Sequence, residues 1–406
     1  MKLKVLVVGS GGREHAIAWK LSSSPLLGEL FCANGNPGIT EVATIVDISP
    51  TDVKAIVSWC LSNKIDLVVV GPEAPLACGL ANACEESGIR CFGPLKEAAR
   101  LEGSKSFAKE VMLAANVPTA KGAVFEDYSQ AKEYVEKSGA PIVVKADGLA
   151  AGKGVVVAAS VEEAIEALKD CMLDGVHGDA GAKVVIEECL PGKEASAMAI
   201  IDGYTIVPLP LSSDYKRRND FDKGPNTGGM GAITPTPVYS ENSLATITET
   251  VFLPTVKELA KRGIYYRGFL YAGLMVAESG EMKVLEFNCR LGDPETQALM
   301  VRLDSDLLEI LYAATSGNLT DKKLAWSQDS VICVVASAGE YPAGSSKGAL
   351  ISGISEVEGA KVFHAGTKLS DDKSILTNGG RVLSVVAKSN SLGTARQKAY
   401  DAMNSI

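Results

Sequence analysis

The feature that most constrains the fold is a regular alternation of short apolar runs with amphipathic stretches over residues 1–102. The apolar runs have the length of strands and predict β-strands at Lys4–Val8, Leu30–Ala33, Leu67–Val70 and Arg90–Phe92. The stretches between them each carry one apolar face and predict helices at Glu14–Ser22, Val53–Asn63 and Leu80–Ser87. Strands that alternate with helices indicate a parallel sheet covered by helices, with ligands bound beyond the carboxyl ends of the strands.

This rhythm changes near residue 102, and the chain is long enough for several domains. We expect an N-terminal α/β domain at residues 1–102, a central domain at 103–326 that includes a compact lobe at about 120–190, and a small C-terminal domain at 327–406. The predicted class is α/β, with α+β character in the central part. The stretch 212–237 shows little regular pattern and is longer than most connections inside a domain, as functional or disordered segments are.

Composition and charge exclude several classes of partner. The 406 residues carry a net charge of −9, and only 6% of them are aromatic. Such an acidic chain, with few rings for base stacking, is a poor candidate for binding nucleic acid or an anionic membrane. Nine scattered cysteines without a CxxC pair predict reduced thiols, and three histidines are too few for a histidine-based metal cluster. With no leader-like or bilayer-spanning apolar run, we expect a cytoplasmic enzyme.

The first candidate site is the segment Gly9–His15, which follows a predicted strand and opens a predicted helix. The unpaired N–H groups of a first helical turn favour an anion. Glu14 stands where a dinucleotide fingerprint requires its third glycine, so a single phosphate is favoured over NAD. A tight turn without any ligand is the alternative.

The second candidate is the glycine-rich turn between Lys145 and Val155. Its N–H groups can fold over a phosphate while Lys145 and Lys153 supply positive charge. It is not a P-loop, because Gly154 stands where a Ser or Thr must hold the metal and a strand follows instead of a helix. The alternative is a β-hairpin whose lysines are merely solvated.

The third candidate is the strand-like run that carries Glu286, Asn288 and Arg290. Alternation in a strand places these three on one face and leaves Leu285, Phe287 and Cys289 on the opposite, apolar and buried face, where Cys289 should be inert. Carboxylate and amide oxygens suit Mg²⁺, and an arginine can clamp a carboxylate or phosphate with two hydrogen bonds. Asp293-Pro294-Glu295 adds two further carboxylates nearby. The alternative is a polar strand face exposed to solvent.

Two weaker candidates complete the set. The segment Ser213–Arg217 and the glycine-rich Gly224–Gly231 suit a loop that closes over a polar substrate, although a flexible linker is the alternative. The run Val184–Glu194 reads as a strand that leaves through a Pro-Gly turn, whose edge can bind an adenine while Glu194 takes ribose hydroxyls. Taken alone, that run is an ordinary strand and turn.

In their order along the chain, these stretches resemble the ATP-grasp superfamily and, within it, the glycinamide ribonucleotide synthetase family. The motifs that carry the resemblance are Gly11–His15, Gly71–Leu76, Leu101–Lys105, Lys145–Gly154, Gly224–Gly231 and Glu286–Glu295. They span essentially the whole chain and are jointly specific. The resemblance implies an ATP-grasp fold with an N-terminal open parallel-sheet domain, a mobile lobe and a small C-terminal α/β domain.

The resemblance also implies which residues bind ATP as co-substrate and Mg²⁺ (or Mn²⁺) as cofactor. The ATP-binding residues would be Lys105, Lys145, Gly148, Gly152, Lys153, Gly154, Glu187, Glu188, Leu190 and Glu194. The two lysines Lys105 and Lys145 would contact the phosphates, the glycine turn would cover them, and Glu194 would hold the ribose. Glu286 and Asn288 match the family's magnesium ligands.

For the other substrates, the resemblance implies glycine and 5-phosphoribosylamine, joined by an ATP-dependent carboxylate–amine ligase of purine synthesis. The catalytic residues would be Arg290, Lys145 and Asp293. The substrate-binding residues would be Gly11, Gly12, Arg13, Glu73, Asp214, Lys216, Asn226, Thr227, Gly228, Arg290, Pro294 and Glu295. We expect a monomer or weak homodimer that acts on small molecules.

Three other functions remain open at this point. One is an ATP-grasp ligase that uses a different carboxylate or amine. A second is an NAD-dependent dehydrogenase built on the first domain, against which the missing third glycine argues. A third is a non-catalytic ATP-binding regulator, which would not need a complete carboxylate–amide–arginine strand.

Overall fold

The chain begins with an open parallel sheet, in a computed structural model that describes residues 2–149, 154–238 and 243–406. Its strands are β1 (Leu3–Gly9), β2 (Leu27–Asn34), β3 (Thr44–Val46), β4 (Leu67–Val70) and β5 (Cys91–Phe92). They lie in the order β3-β2-β1-β4-β5, and every neighbouring pair is parallel. All four residues of β4 are buried, which explains why this strand is a continuous apolar run. The predicted parallel sheet is confirmed.

Five helices accompany this sheet. They are α1 (Gly12–Ser22), α2 (Val53–Asn63), α3 (Glu73–Ala77), α4 (Leu80–Glu86) and α5 (Lys96–Gly103). The helix α2 begins where the sequence predicts, because the Asp52 side chain caps it by accepting from the Ala55 N–H at 3.0 Å. The short strand β3 and the helices α3 and α5 were not predicted.

Next comes a lobe built on an antiparallel sheet in the order β6-β9-β7-β8. Its elements, together with the helix α6 that leads into it, are α6 (Lys105–Ala114), β6 (Gly122–Phe125), α7 (Tyr128–Ser138), β7 (Ile142–Ala146), β8 (Val155–Ala158), α8 (Val161–Met172) and β9 (Val184–Glu188). The side chains of Ser104, Asp127 and Ser160 cap α6, α7 and α8. The helices α7 and α8 bury their apolar faces with the sheet in a hydrophobic core that contains lobe residues alone.

A central antiparallel sheet follows in the order β11-β10-β16-β17. Its strands are β10 (Lys193–Asp202), β11 (Thr205–Pro208), β16 (Arg267–Val276) and β17 (Met282–Asn288). The helices of this part are α9 (Ser243–Ile247), α10 (Leu253–Lys261), α11 (Glu295–Arg302) and α12 (Leu307–Ala314). Gly273 pairs with Glu286 while Leu274 pairs with Val284, so Leu285 is an extra residue that makes a β-bulge in β17.

The C-terminal part is a mainly antiparallel assembly that also takes in strands from before residue 235. Its larger sheet has the order β12-β15-β18-β23-β20, with β12 (Ser213–Asp214), β15 (Gly231–Thr234), β18 (Ser330–Ser337), β20 (Ala360–His364) and β23 (Arg381–Ser389). Its smaller elements are the hairpin β13 (Arg217–Asn219) and β14 (Lys223–Asn226), the strands β19 (Leu350–Ile351), β21 (Thr367–Leu369) and β22 (Ile375–Thr377), and the helix α13 (Leu392–Met403). The prediction of little regular structure over 212–237 is therefore wrong. These strands are two to four residues long and pair in part with the distant β18, so the local sequence carries almost no signal for them.

The N-terminal and C-terminal parts meet through two buried histidines. The His15 Nδ1 accepts a hydrogen bond from the backbone N–H of His364 at 2.9 Å, and Phe363 packs edge-on against the His15 ring. Burial, the neighbouring His364 and Lys361 lower the pKa of His15 to about 3. Burial and Lys361 likewise lower the pKa of His364 to about 4. Both rings are therefore neutral at neutral pH.

Among the described residues, we find no helix whose length and apolar character would let it cross a membrane.

Candidate active site

A cavity of about 380 Å³ lies where the parallel sheet, the lobe, the central sheet and the C-terminal sheet meet. The predicted site residues in its wall are Arg13, Glu73, Lys105, Lys145, Gly154, Glu187, Asp214, Lys216, Thr227, Gly228, Glu286, Asn288, Arg290, Asp293 and Glu295. They are spread over the chain from residue 13 to residue 295, and the fold brings them together around this cavity.

Other predicted site residues are not part of this wall. Within the described ranges these are Gly11, Gly12, Gly148, Glu188, Leu190, Glu194, Asn226 and Pro294. Two of them contact wall lysines: the Gly148 carbonyl accepts from the Lys105 Nζ at 3.2 Å, and a Glu194 carboxylate oxygen lies 2.6 Å from the Lys216 Nζ. Gly152 and Lys153 lie outside the described residues.

The end of β17 carries the acid–amide–arginine series. Glu286 and Asn288 are in the strand and Arg290 lies just beyond its end, so the prediction that all three belong to the strand is wrong for Arg290. All three nevertheless line the cavity, and the Arg290 Nη2 donates to the Asn288 Oδ1 at 3.1 Å. The prediction that Leu285 is buried on the opposite face is also wrong. The bulge leaves it half-buried at the cavity wall, because the register of β17 shifts there.

Cys289 is buried, as the sequence predicts. Burial and the nearby Glu102 carboxylate raise the pKa of its thiol to about 12. Because the thiolate is the reactive form, this cysteine is inert at neutral pH.

The Glu286 carboxylate is surrounded by positive charge. Burial opposes its ionisation, but the ammonium groups of Lys216, Lys145 and Lys105 and the Arg290 guanidinium keep its pKa below the ordinary value. The result is an ionised hard oxygen ligand two residues from the Asn288 amide oxygen. Among the described residues, no cluster of three or more His, Cys, Asp or Glu side chains could hold a metal by itself. The donors here suit a cation that keeps phosphate oxygens and waters as its other ligands, as Mg²⁺ does.

Arg290 is fixed by two acids. Its Nη2 lies 2.9 Å from the Glu102 Oε1, and its Nε lies 3.5 Å from the Glu73 Oε2. Burial alone would lower the pKa of the guanidinium, but these two carboxylates raise it. The second oxygen of Glu102 accepts the Cys289 N–H at 2.7 Å. Sequence reasoning missed Glu102, because the helix α5 that turns it inward was not predicted.

A second buried ionic series ties the lobe to the central sheet. The Lys145 Nζ lies 2.5 Å from the Glu187 Oε2 and donates to the Leu285 carbonyl at 2.9 Å. The other Glu187 oxygen pairs with Lys109, whose ammonium also donates to the Ala120 carbonyl at 2.7 Å. Lys109 was not predicted, and no motif of the sequence marks it.

In the Gly9–His15 segment, the Glu14 carboxylate already accepts a hydrogen bond from the backbone of the glycine turn. The Glu14 Oε2 accepts the Gly11 N–H at 2.7 Å, and its Oε1 accepts from the Arg13 Nε at 2.6 Å. A Cβ atom built on Gly71 would lie 2.3 Å from the Glu14 Oε1, so this close approach requires glycine. Arg13 is the member of this motif that faces the cavity.

The C-terminal part contributes one cavity residue that sequence reasoning missed. Arg381, the first residue of β23, has its Nη2 3.3 Å from the Asp293 Oδ2. Burial would raise the pKa of the Asp293 carboxyl, but Arg381 and Arg13 lower it below its ordinary value. No motif surrounds Arg381, and only the fold brings it to the site.

Comparisons with known proteins agree over the whole chain. Residues 3–102, 103–296 and 331–406 match the models for the N domain, the ATP-grasp (A) domain and the C domain of phosphoribosylglycinamide synthetase. A phosphoribosylamine–glycine ligase of Escherichia coli O157:H7 is 48% identical over 408 residues, which cover 100% of this chain and 95% of that protein. The ligase of the same name from Brucella melitensis is 48% identical over 407 residues, with the same coverage.

Solved structures give the same picture. The crystal structure of phosphoribosylamine–glycine ligase from Thermotoga maritima superposes with a TM-score of 0.87 at 34% identity, over 99% of this chain and 97% of that one. The biotin carboxylase domain of the Hydrogenobacter thermophilus 2-oxoglutarate carboxylase, solved with MgADP and bicarbonate, has a TM-score of 0.75 at 19% identity, over 100% and 90% of the two chains. The second likeness concerns the fold alone and confirms the ATP-grasp architecture.

Proposed function

The chain belongs to the phosphoribosylglycinamide synthetase family, and we propose that it joins glycine to 5-phosphoribosylamine with the conversion of ATP to ADP and phosphate. The product is glycinamide ribonucleotide, formed in purine synthesis. The observation that carries the proposal is the convergence of Glu286, Asn288, Arg290 and Lys145 on one cavity. Full-length relatives named phosphoribosylamine–glycine ligase support the same assignment.

ATP is proposed to lie between the lobe and the central sheet. Lys105 and Lys145 hold its phosphates, and the turn with Gly148, Gly152, Lys153 and Gly154 covers them. The edge of β9 and the turn after it line the adenine through Glu187, Glu188 and Leu190, and Glu194 holds the ribose. The position of Lys145 supports this, because Glu187 and the Leu285 carbonyl hold its ammonium at the cavity wall.

Glu286 and Asn288 are proposed to hold Mg²⁺, or Mn²⁺ in its place. A divalent cation held by these two residues would neutralise the charge of the ATP phosphates as they approach the glycine carboxylate. The low pKa of Glu286 supports this role, because the carboxylate stays ionised although it is buried.

The reaction is proposed to run in two displacements. A glycine carboxylate oxygen attacks the γ-phosphorus, the bond to the β,γ-bridging oxygen breaks, and glycyl phosphate and ADP result. The amine nitrogen of phosphoribosylamine then attacks the glycyl carbonyl carbon, phosphate leaves with the acyl oxygen, and the nitrogen loses one proton. Arg290 orients the glycine carboxylate by a two-point contact, and the ionised Asp293 accepts a hydrogen bond from the attacking amine.

The remaining walls are proposed to bind the organic substrates. The phosphoribosyl group lies towards the N-terminal domain, against the residues Gly11, Gly12, Arg13 and Glu73. The segments around Asp214, Lys216, Asn226, Thr227, Gly228, Pro294 and Glu295 close over the reacting groups. We further propose the domain division 1–102, 103–326 and 327–406, a cytoplasmic location, and a monomer or weak homodimer.

A coupled ADP-release assay tests the function. We expect ADP release only when glycine and 5-phosphoribosylamine are both present, and little release from the Arg290→Ala variant. Formation of AMP and pyrophosphate would contradict the acyl-phosphate route. Equal turnover with another amino acid would indicate a different ATP-grasp ligase, and ATP binding without ADP release would indicate a regulator.

A further inference from the structure

Arg381 makes three contacts with two segments that are far from it in sequence. Its Nη1 donates to the Gly228 carbonyl at 2.7 Å and to the Asp293 carbonyl at 2.5 Å, and its Nη2 lies 3.3 Å from the Asp293 Oδ2. A planar guanidinium is suited to such a fork of acceptors, whereas an ammonium group is not. One side chain of β23 therefore joins the glycine-rich loop to the segment that follows β17.

Tyr341 completes the contact from the same domain. Its hydroxyl oxygen accepts the Gly228 N–H at 2.7 Å, so two C-terminal side chains hold both hydrogen-bonding groups of Gly228. The fit leaves little room for a side chain at Gly228 and none at Gly380. A Cβ atom built on Gly228 would lie 3.1 Å from the tyrosine oxygen and 3.2 Å from the Arg381 Cζ, and one on Gly380 would lie 2.3 Å from the ring.

On its other side, the same loop is attached to Lys216, which lies in the cavity wall. The Thr227 N–H and hydroxyl both donate to the Lys216 carbonyl, at 2.8 and 2.7 Å, and the hydroxyl accepts the Gly229 N–H at 3.0 Å. The loop is thus held by hydrogen bonds on both sides, to Lys216 on one side and to Arg381 and Tyr341 on the other. Its backbone position is set by hydrogen bonds rather than by a hydrophobic core.

The contacts that hold the two lysines proposed to bind ATP come from segments other than this loop. Lys105 and Lys145 bond to the Gly148 carbonyl, Glu187 and the Leu285 carbonyl, which belong to the lobe and the central sheet. Loosening the loop should therefore disturb the glycine and amine substrates more than the nucleotide, which the loop reaches through the ion pair of Lys216 with Glu194.

We propose that Arg381 and Tyr341 are positioning residues through which the C-terminal domain sets the Gly228 loop and Asp293 for glycine and the amine substrate. The inference rests on the proposed ligase function and names residues to which the sequence motifs gave no role. Arg381 acts through Asp293 and Gly228, and Tyr341 acts through Gly228 alone.

The test compares Arg381→Met, Arg381→Lys, Tyr341→Phe and the double variant Arg381→Met/Tyr341→Phe with the unmodified full chain. Arg396→Met is the matched control, because it removes a surface guanidinium of α13 that packs over Tyr400. The Michaelis constants for glycine, 5-phosphoribosylamine and ATP are measured together with kcat and the melting temperature.

We expect Arg381→Met to raise the Michaelis constant for glycine or phosphoribosylamine at least about tenfold, and that for ATP less than about twofold. Arg381→Lys should raise the same Michaelis constant less than Arg381→Met does, and Tyr341→Phe should raise it about threefold. The double variant should lose less than the product of the single losses, because both side chains hold one peptide group.

Several results would overturn the inference. One is that the Michaelis constants for glycine and phosphoribosylamine stay unchanged in Arg381→Met and Tyr341→Phe. Another is that the Michaelis constant for ATP rises as much as those for the other two substrates. A third is that the loss in the double variant equals the product of the two single losses. If Arg381→Met does not fold, Tyr341→Phe decides by the same comparison of substrates. Absence of ligase turnover in the unmodified chain overturns the proposed function and this inference with it, whereas normal turnover with unaffected variants overturns the inference alone.

Discussion

The pair formed by Glu102 and Arg290 gives a prediction whose size follows from the geometry. Glu102 is buried, and its two oxygens serve two donors, the Arg290 Nη2 at 2.9 Å and the Cys289 N–H at 2.7 Å. Glu102→Gln keeps the shape and removes the charge. The amide has only one oxygen, so either the arginine or the Cys289 N–H faces an NH₂ group instead of an acceptor.

Two ranges bear on the expected loss of free energy, and the lower of them applies. A hydrogen bond to a charged group contributes about 1.5–3 kcal/mol, and removal of one partner from a buried ion pair costs about 3–5 kcal/mol. We take about 2 kcal/mol, because Glu73 remains 3.5 Å from the arginine Nε and still compensates part of its charge. At about 1.4 kcal/mol for each tenfold change in rate, this corresponds to a loss of about 30-fold in kcat/KM for glycine.

The assay is steady-state ligase kinetics with glycine as the varied substrate, accompanied by urea unfolding. The matched control is Glu110→Gln, the same chemical change at an exposed acid of α6 that pairs with Arg262, and it should leave kcat/KM unchanged. A stable Glu102→Gln variant with kcat/KM within about twofold of the wild type would refute the idea that Glu102 orients Arg290.

Three further predictions follow from contacts already described. Glu286→Ala should abolish ADP release with an unchanged melting temperature, and wild-type turnover would show that the metal site lies elsewhere. Lys109→Met should raise the Michaelis constant for ATP about tenfold, because Glu187 loses one of its two cations; a constant equal to that of the wild type would remove Lys109 from the site. Burial lowers the pKa of His15 to about 3 and of His364 to about 4, whereas an unfolded imidazole titrates near 6.5. The unfolded chain therefore takes up protons first as the pH falls below about 6.5, and the two residues together cost about 4 kcal/mol of stability at pH 5. Urea unfolding at pH 7 and pH 5 measures this loss, and equal midpoints would contradict it.

The sequence predicts the N-terminal part well because its central strands β1 and β4 are buried on both faces. A buried parallel strand is a continuous apolar run, and the predicted Leu67–Val70 coincides with β4. The helix α2 was located equally well, since Asp52 marks its start. Local signals were sufficient in these places, and the joint order of the motifs was sufficient to indicate the family.

The features that could not be predicted from the sequence depend on contacts between segments that are distant along the chain. The bulge at Leu285 arises from the register of β17 against β16, and alternation along one strand cannot reveal an inserted residue. Glu102 and Lys109 become site residues only when α5 and α6 pack beneath the cavity. Arg381 contacts Gly228 across 153 residues of chain, and no motif in the sequence around Arg381 indicates this contact.

The lobe has a hydrophobic core of its own, separate from the two larger cores that the remainder of the chain shares. Among the contacts that attach it to the rest are polar ones, such as Lys145 to the Leu285 carbonyl and Glu187 to Lys109. Water can replace the hydrogen bond to the Leu285 carbonyl at a small net cost, whereas the buried ion pair between Glu187 and Lys109 is costly to break. A substitution of Lys109 should therefore weaken the attachment of the lobe without changing the packing of the hydrophobic core inside it.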